Sequence, residues 1–163
     1  MRIPERVSVL LVSLVATCSL LATVPGYADE LLDFTTATLD EFKSRFDGEP
    51  FLLTLWSVDC PPCRVDLENI SAKLQVDADL PVVLVAADPP AKRAEAIEVL
   101  EDYSLDEYVT WIFADNFFER LRFSIDPNWF GELPRSYFYD EEHQATGHSG
   151  IVTEEMLGDF FAE

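Results

Sequence analysis

Two cysteines, Cys60 and Cys63, are separated by two prolines. A disulfide acts mainly by restricting the unfolded chain, so a bridge across so short a loop contributes little to stability. The spacing instead suits a reaction in which one thiolate attacks a partner disulfide and the second thiol releases the product. The pattern therefore predicts thiol–disulfide exchange, with Cys60 as the attacking thiol and Cys63, one helical turn further on, as the buried resolving thiol.

Two other interpretations of the cysteine pair compete with redox chemistry. A structural zinc site needs about four ligands, and beyond the pair itself only His143 and His148 are candidates. Both histidines come from a distant part of the chain. An inert surface disulfide does not explain why the pair directly follows a buried strand, at the functional end of an α/β sheet. The sequence favours redox chemistry, with no metal and no cofactor.

Charges next to the pair are expected to tune the attacking thiol. Asp59 directly precedes Cys60, and a carboxylate in that place disfavours the thiolate. The two intervening prolines bring no N–H groups that could stabilise it. Both features are expected to raise the pKa of Cys60 and to make the protein more reducing, whereas Arg64 and Arg135 are expected to act in the opposite direction.

The residues around the pair predict a strand followed by a helix. Residues 51–57 form a dense apolar run of strand length, typical of a strand buried on both faces. Residues 64–76 carry apolar side chains mostly on one helical face. The partial positive charge of a helix N-terminus favours a thiolate at Cys60.

The other elements alternate along the chain. Thr38 and Glu41 form a capping box for a first helix, Asp88 is the predicted N-cap of a later helix, and Thr153 caps the last. The predicted elements are helix 39–46, strand 51–57, helix 64–76, strand 81–87, helix 88–103, strand 110–114, helix 116–123, hairpin 136–139 with 145–148, and helix 153–161. This alternation predicts an α/β domain with parallel crossovers, closed by an antiparallel hairpin.

The N-terminal segment resembles a secretory signal peptide. Arg2 and Arg6 precede an apolar run over residues 7–21, and small residues favour cleavage after Ala28. The run is shorter than the roughly 20 residues needed to span a bilayer. The residues before Cys18 match a lipoprotein cleavage motif poorly, so we expect Cys18 to be removed with the signal peptide. The prediction is a signal peptide over 1–28 and one domain over 29–163.

The chain is strongly acidic. Its formal net charge is −20, and cleavage after residue 28 would remove two arginines and only one glutamate. Such a charge argues against nucleic acid and anionic membrane surfaces as partners. We expect a solvated acidic surface on a monomeric exported protein, with a basic protein partner as the alternative.

The segment LWSVDCPPCR, from Leu55 to Arg64, resembles the active-site motif of the TlpA and ResA group of thioredoxin-like proteins. The stretch GELPRSYFYD, from Gly131 to Asp140, is similar to the part of that family that contains its cis-proline. The resemblance implies a thioredoxin-like fold, in which helices flank a central mixed sheet and an antiparallel hairpin and helix complete the C-terminus. It also implies an exported reductant of protein disulfides, supplied by a membrane or periplasmic electron donor.

The same resemblance implies a substrate-binding surface. Leu133 and Pro134 would form a cis peptide beside the sulfurs, leaving the backbone of Leu133 free to pair with a bound peptide. Trp56, Trp129 and Phe130 are candidates for an apolar rim around Cys60, although aromatic residues more often lie in the core.

One departure from thioredoxins concerns a buried acid. Thioredoxins carry it six residues before the first cysteine, where this chain has Thr54. Glu68 and Asp88 are candidates to replace it, although a solvated charge is the simpler interpretation of each.

Three functions remain open at this stage. The leading one is reduction of protein disulfides, with cytochrome c maturation or copper-site assembly as possible contexts, and a disulfide oxidant or isomerase is its close alternative. A copper-binding chaperone would use Cys60 and Cys63 with His148 as ligands. A non-catalytic scaffold is disfavoured by the intact cysteine pair.

Overall fold

The computed structural model describes residues 31–162, so the predicted signal peptide and Cys18 lie outside the described residues. The elements alternate as the sequence predicts. They are β1 (Leu32–Phe34), α1 (Thr38–Arg45), β2 (Phe51–Trp56), α2 (Pro61–Val76), β3 (Val82–Ala86), a 3-10 turn (Pro90–Lys92), α3 (Arg93–Asp102), β4 (Trp111–Phe113), α4 (Phe118–Ile125), β5 (Arg135–Tyr139), β6 (Ala145–Ser149) and α5 (Glu154–Phe160).

The strands form one mixed sheet in the order β1-β4-β3-β2-β5-β6. The first four strands in that order run parallel, β5 is antiparallel to β2, and β6 is antiparallel to β5. This arrangement confirms the predicted sheet and its closing hairpin. Every residue of β2 is buried, as its continuous apolar sequence predicts.

Two apolar clusters form the core, and β2 contributes to both because successive side chains of a strand point to opposite faces. The first cluster contains Trp56 together with Cys60, Cys63 and residues of α2 and α5. The second contains Leu53 and Leu55 of β2 with aromatic residues of β1, α1, β4 and β5. The cysteine pair thus belongs to the face of the sheet that α2 and α5 cover.

Two details of the N-terminal part differ from the sequence prediction. Strand β1 was not predicted, because it is a three-residue edge strand without a long apolar run. The prediction of a capping box with Thr38 as the N-cap was wrong. Thr38 is the first helical residue, and its hydroxyl accepts a hydrogen bond from the Thr35 N–H at 2.9 Å.

The two other predicted caps have different outcomes. Thr153 caps α5, where its hydroxyl accepts the Met156 N–H at 3.2 Å. Asp88 caps no helix, because its carboxylate binds the loop between β2 and α2 instead.

No helix within residues 31–162 is long and apolar enough to cross a membrane.

Candidate active site at the start of helix α2

Cys60 and Cys63 form a disulfide at the start of α2, with Cα atoms 5.3 Å apart. Cys60 is the N-cap of the helix, and its Sγ accepts a hydrogen bond from the Cys63 N–H at 3.3 Å. Cys60 is 9% exposed and Cys63 is 0% exposed. Both cysteines are therefore buried, Cys63 completely and Cys60 slightly less, and their different roles stay a prediction.

The prolines between the cysteines occupy the first two helical positions. Proline is tolerated there because the amide it lacks would have no partner within the helix. For Cys60 the consequence is electrostatic, since two of the N–H groups that normally surround a helix N-terminus are missing. The Cys63 N–H is therefore the first amide of the helix that can stabilise charge on the Cys60 sulfur.

The segment before Cys60 is held by the loop that follows β3. Asp88 is 3% exposed. Its Oδ1 accepts the Ser57 hydroxyl at 2.8 Å, and its Oδ2 accepts the Val58 N–H at 3.0 Å. The interpretation of Asp88 as a solvated charge was wrong, because both carboxylate oxygens anchor the backbone that leads into the cysteine pair.

The charged side chains next to Cys60 both bind groups nearby, one an opposite charge and the other a carbonyl. Asp59 forms an ion pair with Lys92, which ends the 3-10 turn after β3. Arg64 donates from Nη2 to the Val58 carbonyl at 3.2 Å, on the α2 side of the same segment. Lys92 was not predicted, because only the fold brings residues 59 and 92 together.

The Leu133–Pro134 peptide bond is cis and directly precedes β5. Pro134 is buried, while Leu133 is half-buried and packs against both core clusters, including the one that contains the cysteines. Gly131 has a φ of +98°, and a Cβ there would lie 2.0 Å from Nη1 of Arg122. The turn before Pro134 therefore favours glycine for its conformation, while the end of the Arg122 side chain could move away from a Cβ.

Arg135 is engaged in a network of its own. Its guanidinium binds Asp126 at 3.2 Å and the Ser149 hydroxyl at 2.7 Å, and it lies 4.7 Å from the ring centroid of Tyr137. The pKa of Asp126 is lowered, because hydrogen bonds and the Arg135 charge outweigh desolvation. An effect of Arg135 on Cys60 stays a prediction.

The predicted tryptophan rim is wrong. Trp56 is fully buried beside the cysteines, and Trp129 is buried in the opposite core cluster, where its Nε1 donates to the Glu132 carbonyl at 2.9 Å. Neither ring can present a surface to a substrate. Of the three candidates only Phe130 is exposed, at 86%.

The position at which thioredoxins have a buried acid contains a neutral pair here. Thr54 lies opposite Ser136, and their hydroxyl oxygens are 3.0 Å apart in the buried sheet. Of the proposed replacements, Glu68 is exposed on α2. The buried acid of α2 is Asp66, which the sequence analysis missed although its position, three residues after Cys63, places it on the same helical face.

Asp66 is only partly satisfied by hydrogen bonds. Its Oδ1 accepts the Val152 N–H at 2.7 Å, while its buried Oδ2 has no partner among the described residues. Burial raises the pKa of Asp66 to about 6, and the Val152 hydrogen bond and the positive charge of nearby His148 oppose this shift. The site thus contains a buried carboxyl group one helical turn beyond Cys63.

The ligand set predicted for copper is not assembled. Nε2 of His148 lies 3.2 Å from the Ile151 carbonyl. Within residues 31–162, no group of three His, Cys, Asp or Glu side chains is placed to hold a metal ion.

Neither a family model nor a curated protein sequence matches this chain. Solved structures do match it. A secreted disulfide oxidoreductase of Mycobacterium tuberculosis, homologous to Escherichia coli DsbE, superposes with a TM-score of 0.57 at 17% identity, covering 73% of this chain and 84% of that one. The chain has a thioredoxin-like fold.

Two further neighbours of this thioredoxin-like chain agree. A thioredoxin-related protein from Neisseria meningitidis has a TM-score of 0.55 at 20% identity, covering 70% of this chain and 86% of that one. StoA from Bacillus subtilis has a TM-score of 0.51 at 17% identity, with 71% and 84% covered. Identities this low establish the fold and leave the roles of individual residues to be argued from the site.

Proposed function

We propose that this protein is an exported thiol–disulfide oxidoreductase that reduces disulfides of other proteins through Cys60 and Cys63. The observation that carries the proposal is the unequal burial of two bridged cysteines at the start of a helix that follows a central strand. Both cysteines belong to the same core cluster, but Cys60 at the helix N-terminus retains slight exposure, so a partner would reach its sulfur and not that of the fully buried Cys63. That arrangement suits sequential exchange better than a purely structural bridge.

The reaction starts from the reduced dithiol. The Cys60 thiolate attacks one sulfur of the partner disulfide, which forms a mixed disulfide and releases the partner's other sulfur as a thiolate. Cys63 loses its proton and attacks the Cys60 sulfur, which forms the observed bridge and releases the partner's second thiol. Two electrons pass to the partner, and a membrane or periplasmic dithiol donor must then reduce the bridge again.

Asp66 is the group best placed to receive the proton of Cys63. It is buried in the same helix one turn further on, and an acceptor with a pKa near 6 can take up a proton and release it again near neutral pH. Its unpartnered Oδ2 has acceptor capacity to spare. This assignment replaces Glu68 and Asp88, because the first is exposed and both oxygens of the second are already hydrogen-bonded.

The proposal that the protein acts as a reductant is based on the two prolines between the cysteines. Without their amides, Cys60 receives less stabilisation of its thiolate, and a less stable thiolate favours the disulfide form of the protein. Leu133 and Pro134 complete the proposed substrate surface beside the cysteine cluster. The substrates are proteins, the enzyme is a monomer, and the signal peptide directs it to the periplasm.

The reduction potential tests the direction of electron flow. Equilibration with a glutathione or dithiothreitol couple should give a value at or below that of thioredoxin, about −270 mV. A value near that of the strong oxidant DsbA, about −120 mV, would replace the reductant by an oxidant or isomerase. Failure of the reduced protein to cleave any protein disulfide would reject the proposal that it is an oxidoreductase.

A further inference from the structure

We propose that Lys92 is a positioning residue for Cys60, because its ammonium group binds Asp59 and cancels the negative charge beside the attacking sulfur. This inference deepens the proposed function and rests on it. Lys92 belongs to the 3-10 turn after β3, whereas Asp59 belongs to the loop before α2. The charge balance at Cys60 is therefore set by two segments that are far apart in the sequence.

The ion pair is one of several contacts that join these segments. Asp88, four residues before Lys92, holds Ser57 and Val58 through both of its carboxylate oxygens. Within the held segment, the Asp59 N–H donates to the Ser57 hydroxyl at 3.3 Å. The loop that carries Lys92 thus fixes the backbone that carries Asp59. The ammonium and the carboxylate are therefore held near each other, and the ion pair forms without the need to order a flexible loop.

The neighbouring groups keep Lys92 charged. The hydrogen bond with Asp59, followed by the negative charges of Asp59, Asp88 and Glu95, raises the pKa of Lys92 above its ordinary value. Arg64 is the other cation beside this segment, but its guanidinium donates to the Val58 carbonyl. Lys92 is therefore the cation that directly neutralises the carboxylate adjacent to Cys60.

Charge cancellation predicts opposite effects for the two single variants. Lys92→Gln leaves Asp59 unpaired and should raise the pKa of the Cys60 thiol by about half a unit, as expected for one charge several ångströms away in a largely solvated site. Asp59→Asn leaves Lys92 unpaired and should lower that pKa by a similar amount. The double variant should return close to the unmodified protein.

The experiment follows the rate of Cys60 alkylation against pH in the reduced full-length protein, with mass spectrometry to assign the modified residue. Lys73→Gln is the matched control, because it removes the same charge near the far end of α2 and should leave the pH profile unchanged. High salt should reduce the effect of Lys92→Gln, because it screens exposed charges.

Two outcomes would overturn the inference. One is an unchanged Cys60 profile in Lys92→Gln. The other is an unchanged or raised pKa of the Cys60 thiol in Asp59→Asn, which would mean that the Asp59 carboxylate does not act on this thiol. Cleavage of a protein disulfide by the unmodified protein, measured in parallel, separates this failure from a failure of the proposed function.

Discussion

The two sides of the cysteine pair are built differently. On the side before Cys60, both acidic side chains have partners. Asp88 anchors the backbone of residues 57 and 58, and Lys92 binds Asp59. After Cys63, the helix enters the apolar core with a single buried acid, Asp66, that has one oxygen unsatisfied. On one side, the charge of Asp59 next to Cys60 is neutralised by Lys92, and on the other side a carboxyl group is buried with one oxygen unsatisfied. This contrast matches the different demands of attack and release.

Removal of the resolving thiol should have the largest effect. Cys63→Ser keeps the attacking sulfur but cannot release the mixed disulfide, so multiple turnover should be lost completely. Non-reducing electrophoresis of the exported variant should show a covalent adduct with its partner. The matched Cys60→Ser variant should show none, and an adduct that persists in it would reverse the assigned roles.

The second effect concerns the proton acceptor. Asp66→Asn should slow the release step by roughly a hundredfold, because a positioned acid or base typically contributes that much or more. Stopped-flow measurement of the attack and release phases should show that only release is affected. Glu68→Gln, an exposed acid of the same helix, is the control and should leave both phases unchanged.

The same carboxyl group should make stability depend on pH. The pKa of Asp66 rises from 3.8 to about 6 on folding, so the native state binds the proton more tightly than the unfolded chain. Its contribution to stability is therefore present below pH 3.8 and is lost as the pH rises through 6, by roughly 2 kcal/mol. Denaturant unfolding of the oxidised protein at pH 4 and pH 7 should show this loss, and Asp66→Asn should lack that part of it.

The smallest expected effect lies on the other side of the pair. Ser57→Ala removes one of the hydrogen bonds to the buried Asp88 carboxylate and should lower the free energy of unfolding by about 1 kcal/mol. Ser44→Ala, which removes a hydrogen bond from a hydroxyl to a carbonyl on the exposed face of α1, should change it less. Equal losses in the two variants would show that the hydrogen bond from Ser57 to Asp88 contributes no more stability than one on an exposed helix surface.

Local sequence patterns were sufficient to predict most of the fold. The continuous apolar runs of β2 and β3 identify buried strands, because these signals lie within a few neighbouring residues. Helix α2 was predicted over 64–76 but begins at Pro61, since its first turn contains the prolines and the cysteine pair. The cysteine pair was found in the same way. Its electrostatic environment was not, since Asp88 and Lys92 meet residues 57–59 only after β2 and β3 pair.

Burial of single side chains was the least predictable property. Trp56 and Trp129 were assigned to a surface that neither reaches, because composition does not reveal which face of the sheet a side chain covers. Asp66 was overlooked because an acid in a helix is usually solvated. The sequence signal for Asp66 was its spacing of three residues from Cys63, which places the two side chains on the same helical face. We expect this spacing to be informative in any chain with this motif.

The competition between the two thiols for an alkylating reagent tests the central claim most directly. The reduced, folded protein should lose its Cys60 thiol first, roughly tenfold faster or more, because Cys60 lies at the helix N-terminus and is 9% exposed, while Cys63 is fully buried. Peptide mass spectrometry at successive times would give both rates. Equal rates, or faster modification of Cys63, would contradict the division of roles between an attacking and a resolving thiol.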